Sequence, residues 1–310
     1  MSGQFAAFVA RRLGQGVIVL IGVSIVTFLL LYVVPSDPAS LIAGRAANPE
    51  TLARINAALG LDKPLWVRYA IYMGHLLHGN FGTSYIERAP VAHGLLSRLP
   101  ATLELVSAAV FWEVLIGVTL GVIGGVWRGR LADRLAMGFA YVTVAAPQFV
   151  TGLLFLYVFG FLLDWLPLGG YGGLSHLLLP SLTLGLLNAA WHTRVVRSEV
   201  VREQGEPYVE AALARGVPRR TVILRHIVPG AILPVPTLVG LDFGYLMGGA
   251  VIIDQVFGWP GIGAYMWQGI QNTDVPVIMG VTMFAALFVV LANIIADIVS
   301  FFIDPRIRVT

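Results

Sequence analysis

Apolar residues in this chain gather into six runs, at about 13–34, 102–126, 136–163, 177–196, 231–253 and 277–303. Each is long enough to cross the hydrocarbon of a bilayer as an α-helix, which takes roughly 20 residues. Basic residues fill the intervals unevenly. Arg11 and Arg12 precede the first run, and Arg128, Arg130 and Arg134 fill the second interval. Arg194, Arg197, Arg202, Arg215, Arg219, Arg220 and Arg225 crowd the fourth, and Arg306 and Arg308 follow the last run. The third interval (Asp164 to His176) and the fifth (Asp254 to Pro276) hold neither Arg nor Lys. Short cytoplasmic loops keep basic residues, so the alternation predicts an all-α integral membrane protein with six transmembrane helices and both termini cytoplasmic. The first interval, Pro35 to Pro100, also carries cations (Arg45, Arg54, Lys63, Arg68, Arg88, Arg98), but loops this long translocate regardless of charge. The first run is too long for the core of a signal peptide and lacks an Ala-x-Ala cleavage site, so it reads as a retained span.

The intervals are themselves patterned. In the long first outer loop, Asn48-Pro49-Glu50 opens a helix that runs through Leu59 to a stop at Gly60. A second helix covers Leu65 to Leu77, and Gly79-Asn80-Phe81-Gly82 forms a turn. In the fifth interval, Phe257-Gly258-Trp259-Pro260-Gly261-Ile262-Gly263 is too rich in Gly and Pro to continue a helix. Its Trp259, with Tyr265 and Trp267, suits an aromatic interface belt or a re-entrant segment at the outer mouth. Between the fourth and fifth runs, Tyr208, Ala211, Ala212 and Arg215 recur at helical spacing. Pro207 suits a helix start, Gly216 a helix end and Pro218 the first turn of a second short helix. Two basic helices bent at Gly216-Val217-Pro218 would dock a cytosolic partner or lie on lipid headgroups.

Composition narrows the function. With 57% hydrophobic and 12% charged residues and a mean hydropathy of +0.81, the chain cannot hide its apolar surface as a soluble domain. A net charge of +3 is too small to argue for nucleic acid. There is no cysteine, which excludes thiolate metal sites and iron–sulfur clusters. Lys63 is the only lysine and sits in Leu-Asp-Lys-Pro, so no Gly-x-x-x-x-Gly-Lys-Ser/Thr loop can hold ATP here. His75-x-x-His78 lacks a third ligand nearby, and no metal site is expected. Neither a Ser/His/Asp arrangement nor a His-Glu-x-x-His motif offers catalysis.

Polar residues do lie within the runs: Glu104 and Glu113 in the second, Asn188 and His192 in the fourth, Asp242 in the fifth, Asn293 and Asp297 in the sixth. Ionisable groups at that depth are costly and face a bundle interior or a water-filled path. Glu113, Asn188, Asp242, Asn293 and Asp297 are therefore candidates for a translocation lining or for interhelical packing, and Asn293 and Asp297 share one helical face. Spread over four runs, they form no continuous relay for a proton-driven carrier.

Spacing then brings a resemblance. Glu210-Ala211-Ala212, three residues, Gly216, nine residues, and His226-Ile227-Val228-Pro229 are similar to the EAA loop of ABC importer permeases, with His226 for the usual Ile and Val228 for the usual Leu. Pro35-Ser36-Asp37-Pro38 (Ser36 replacing Gly), Leu59-Gly60-Leu61-Asp62-Lys63-Pro64-Leu65, Gly79-Asn80-Phe81-Gly82-Thr83-Ser84, Val256 to Gly263, Asp274-Val275-Pro276-Val277 and Asp304-Pro305-Arg306-Ile307-Arg308 resemble the dipeptide/oligopeptide/nickel branch. Asp254 stands where that branch carries Glu.

The resemblance runs from about Arg11 to Arg308. It implies an N-terminal segment, 1–100, and a permease core, 101–310, whose coupling loop spans about 199–230. It implies a subunit of an ATP-driven importer in a bacterial or archaeal cytoplasmic membrane that binds no cofactor itself. A second homologous permease, two cytosolic ATPases carrying ATP and Mg, and an external binding protein would complete the assembly. Tyr208, Glu210, Ala211, Ala212, Arg215, Gly216, Val217, Pro218, Arg219 and Arg220 would seat in an ATPase, with Gly216 allowing the bend. Phe257, Trp259, Pro260, Gly261 and Gly263 would shape the outer mouth. Peptides are the expected cargo, with nickel or another small solute such as glutathione as the alternative within the family. A stand-alone ion-coupled carrier, which an internal repeat would favour, is the rival class.

Overall fold

A computed structural model describes residues 2–33, 48–58 and 63–303, and every described regular element is helical. In chain order these are α1 (Ser2–Val33), α2 (Pro49–Ala58), α3 (Leu65–Leu77), α4 (Val91–Val126), α5 (Leu131–Ala145) and α6 (Gln148–Leu162). They continue with α7 (Leu174–Gln204), α8 (Pro207–Ala214), α9 (Arg219–Ala231), α10 (Val235–Gly249), α11 (Val251–Phe257), α12 (Ile262–Gln271) and α13 (Val275–Ile303). The motifs at Pro35–Pro38 and Asp304–Arg308, the stop at Gly60, and Arg45 lie outside the described residues.

Among the described residues, four helices are long and apolar enough to cross a membrane: Ala7–Leu30 within α1, then α4, α7, and Val275–Val299 within α13. Two bent pairs, α5–α6 and α9–α10, raise the number to six if each pair is one span. The unbroken helix expected over 136–163 is corrected here. It is two helices at 105° to one another, because Pro147 drives Ala146 into extended backbone (φ −81°, ψ 126°). The run at 231–253 is likewise not one helix. α9 and α10 meet at 46° just before Val235, and α11 is separate. α4 and α7 instead continue through Pro100 and Pro180 and extend past their apolar runs.

The centre of the bundle is the α4–α7 pair. Gly117, Gly121 and Gly125 lie one helical turn apart on α4 and face His192, Val196 and Val200, at the same spacing on α7. A Cβ on Gly121 would sit 2.7 Å from that of Val196, so only hydrogen allows this approach. Helices in lipid gain little from burying apolar surface and associate through such close packing. Gly240 and Gly244 on α10 do the same against Ala296 and Ala292 of α13. Polar ties fix the periphery. Arg12 of α1 meets Asp297 of α13 at 3.0 Å, and Arg197 of α7 holds Asp133 of α5 through two bonds of 2.5 and 2.8 Å.

Candidate functional site

The arginine-rich end of the bundle carries the α8–α9 turn. α7 does not stop at the end of its apolar run but projects to Gln204, whose side-chain amide donates to the Gly125 carbonyl. Gly205 ends it, and Pro207 starts α8 at its first helical position. One side of this short helix is internal: Val209 and Ala212 pack with Val196, Val200, Val222, Ile227 and Val235. The other presents Tyr208, Glu210, Arg215, Gly216, Pro218, Arg219 and Arg220 to the outside, with Ala211 and Val217 half-buried. Gly216 has φ +79°, a left-handed conformation that only glycine adopts without strain, and it reverses the chain before Pro218 opens α9. Glu210 makes no ion pair with Arg215 among the described residues. Glu203, which sequence spacing does not single out, anchors the turn. It accepts a short hydrogen bond from the Tyr208 hydroxyl, and its carboxylate fills the space a Cβ on Gly230 would occupy. Burial and this bond raise the Tyr208 phenol to about 12, so the hydroxyl remains a donor at any physiological pH.

At the opposite end, the Gly/Pro-rich segment folds inward. Trp259 is 1% exposed and donates its indole N–H to the Ala101 carbonyl at 2.9 Å. Tyr265 is buried too, and of the three aromatics only Trp267 is exposed. The interface-belt reading is thus corrected for Trp259 and Tyr265; the segment is packed into the bundle mouth. Of the five mouth candidates, Phe257, Trp259, Gly261 and Gly263 are buried and Pro260 alone is exposed. Gly261 and Gly263 wrap Asp254, whose Oδ2 accepts the Ala264 N–H at 3.0 Å and would touch a Cβ at either glycine.

Asp254 lies outside the candidate spans, and burial pushes its carboxyl from 3.8 up to about 7 against the opposing hydrogen bonds from Ala264 and Gly263. The folded chain therefore keeps this proton at pH values where the unfolded chain has lost it. Stability falls as pH rises from 3.8 to about 7 and is level above. Asp254→Asn is expected to flatten that part of a thermal-midpoint profile; an unchanged slope would contradict the assignment.

Within the spans the fold does what spacing did not foretell. Glu113 of α4, His192 of α7 and Asp242 of α10, distributed over separate helices in the sequence, converge with their ligand atoms within 4.8 Å of one another. Asn188 lies one turn before His192 and adjoins Glu113 without meeting hydrogen-bond geometry. Asp297 is not part of this group, being paired with Arg12, and neither is Asn293. A separate cavity of about 560 Å³ is lined by Lys63, Arg68, His75 and Arg88 together with Tyr72 and Phe81.

An all-helical bundle of apolar spans, broken by a basic turn at one end and a buried Gly/Pro hook at the other, is the build of a membrane transport component. The chain belongs to the family described as binding-protein-dependent transport system inner membrane component, whose model matches residues 117–309; the model of that family's N-terminal part matches residues 5–106. It is 38% identical over 301 residues to the glutathione transport system permease protein GsiC of Salmonella typhimurium and to that of Escherichia coli (strain K12), covering 97% of this chain and 98% of each relative. Its fold is similar to a chain of the MetNI methionine ABC transporter in inward-facing conformations, with TM-score 0.58 and 17% identity over 68% of this chain and 96% of that one. A second crystal form of MetNI gives 0.54 and 16%. The chain is thus an inner-membrane permease subunit of an ABC importer.

Proposed function

We propose that this permease carries short peptides of the glutathione type across the inner membrane. It does so as one of two homologous permease subunits, each expected to have six spans with both termini in the cytoplasm. The observation that carries the cargo reading is the match to glutathione permeases along nearly the whole chain, spans and loops alike. The basic cavity beside α3 fits a solute that carries carboxylates, since Lys63, Arg68 and Arg88 offer charge-assisted hydrogen bonds. An external binding protein delivers the peptide to that end. ATP and Mg are held by two ATPase chains, in keeping with the lack of a Walker A lysine here.

In this scheme the exposed side of α8, with Gly216 and the start of α9, seats in a groove of one ATPase. Closure of the ATPases on ATP moves that seat. Because α8 and α9 share a packed core with Val196, Val200 and Val235, the motion passes into α7 and α10. It shifts the bundle only if the contacts differ between the ATP-bound and free states.

Uptake of radiolabelled glutathione, a dipeptide and nickel, compared in cells with and without this chain, tests the cargo. Loss of most glutathione uptake, with competition by unlabelled tripeptide, is expected. Intact glutathione uptake with loss of nickel or dipeptide uptake would replace the proposed cargo.

A further inference from the structure

We propose that Glu113, His192 and Asp242 bind one divalent first-row transition-metal ion between α4, α7 and α10. The hydrogen bonding of His192 constrains its tautomer. Its Nδ1 lies 3.0 Å from the Asn188 carbonyl oxygen, a pure acceptor, so in the neutral imidazole Nδ1 carries the proton and Nε2 presents a lone pair. That lone pair faces Asp242 Oδ2 at 3.7 Å, too long for a hydrogen bond. Glu113 and His192 are both 0% exposed, and among the described residues neither Glu113 oxygen nor His192 Nε2 meets hydrogen-bond geometry, although the Asn188 side chain adjoins Glu113. Three groups that can each offer an electron pair thus converge inside the spans, with no hydrogen bond between any two of them among the described residues.

Unpaired polar atoms at this depth are expensive, and a positive charge at their centre removes the cost. One imidazole and two carboxylates carry two negative charges, which a single divalent cation balances. That mixed nitrogen and oxygen set suits zinc, manganese, iron or cobalt rather than calcium or magnesium, which take oxygen alone. The present separation, within 4.8 Å, is slightly wider than the roughly 3–4 Å between neighbouring ligands of a metal bound at about 2.1 Å. Small rotations of the two carboxylates close that difference.

Two further features match a metal centre. A histidine that binds metal through one nitrogen usually donates the other N–H to a carbonyl or carboxylate, as His192 does to Asn188. Gly117 faces the His192 Cβ, so α7 approaches α4 closely enough to bring the imidazole to Glu113. Asp242, with 21% of its side chain exposed, gives the ion a way in. Spacing alone does not bring the three residues together, because they are separated by 79 and then 50 positions in a chain without metal-ligand spacing. The assignment stands apart from the cargo and from the coupling turn.

Cobalt(II) is the probe, since its visible absorption reports coordinated nitrogen and oxygen directly. The transporter is purified from membranes as it assembles, without a polyhistidine tag, stripped with chelator and titrated with Co²⁺. Saturable binding with a visible band is expected, and Glu113→Gln and Asp242→Asn should each weaken one equivalent of it by about tenfold or more. Both variants keep side-chain volume, and a variant that fails to insert in the membrane is replaced by His192→Gln. The wild-type protein alone also decides: no saturable band overturns the site. Binding that none of the three variants alters overturns it equally.

Discussion

Gly216→Pro is expected to reach the membrane at normal levels and to abolish ATP-driven uptake. The residue sits at φ +79°, and proline is fixed near −65°, so the backbone between α8 and α9 must take another course. Proline also deletes the amide that donates to the Leu213 carbonyl at 2.9 Å, and the neighbouring Val217 amide would lose its aim at Ala212. The spans are untouched by this change, since Gly216 is exposed and a side chain there meets nothing within 4 Å. What changes is the angle at which Tyr208, Arg215 and Arg219 are presented to a partner. Gly216→Ala should retain partial transport, because an alanine held left-handed costs about 1–2 kcal/mol rather than forbidding the turn. Immunoblotting of membranes together with uptake assays separates the two effects; normal uptake by the proline variant would remove the turn from the coupling route.

Trp259→Ala is expected to be the most destabilising single change at the other end. The ring is buried among Ala101, Leu105 and Leu177 and meets Tyr171 edge-on at 4.9 Å, and its N–H satisfies the Ala101 carbonyl in α4. Emptying such a site costs about 3–5 kcal/mol. Trp259→Phe keeps much of the ring but loses the bond to the Ala101 carbonyl, for a loss of about 0.5–1.5 kcal/mol from that bond. Thermal midpoints in detergent should fall in that order. An unchanged midpoint for the alanine variant would mean that the segment does not hold the mouth together.

The long apolar runs could be read from composition and length because helical hydrogen bonding within lipid leaves few other structures. α3 was legible to the residue, bounded by Pro64 and the left-handed Gly79. The coupling turn was legible through Pro207, Gly216 and Pro218, which punctuate it locally. Breaks were harder. Pro147 follows a helix end whereas Pro100 and Pro180 lie inside helices, so the presence of a proline does not by itself locate the break. For Trp259 the sequence leaves a belt and a re-entrant segment open, because an indole suits both an interface and a core with one polar partner. The convergence of Glu113, His192 and Asp242 required knowing which faces of α4, α7 and α10 meet. The glycine stripe at 117, 121 and 125 was the available signal for one of those faces.

In the proposed scheme the exposed turn around Gly216 is the joint between this permease and an ATPase on the cytoplasmic side. The chain has no cysteine, so Arg215→Cys introduces a unique reactive site on an exposed residue of that turn. Crosslinking it with a short bifunctional maleimide in inverted membrane vesicles, followed by mass spectrometry, reads the partner directly. A single dominant product with an ATPase subunit is expected, with a yield that changes when ATP is bound. Labelling of the cysteine from the outer side of intact cells, or full labelling from the inside with no ATPase adduct, would contradict it.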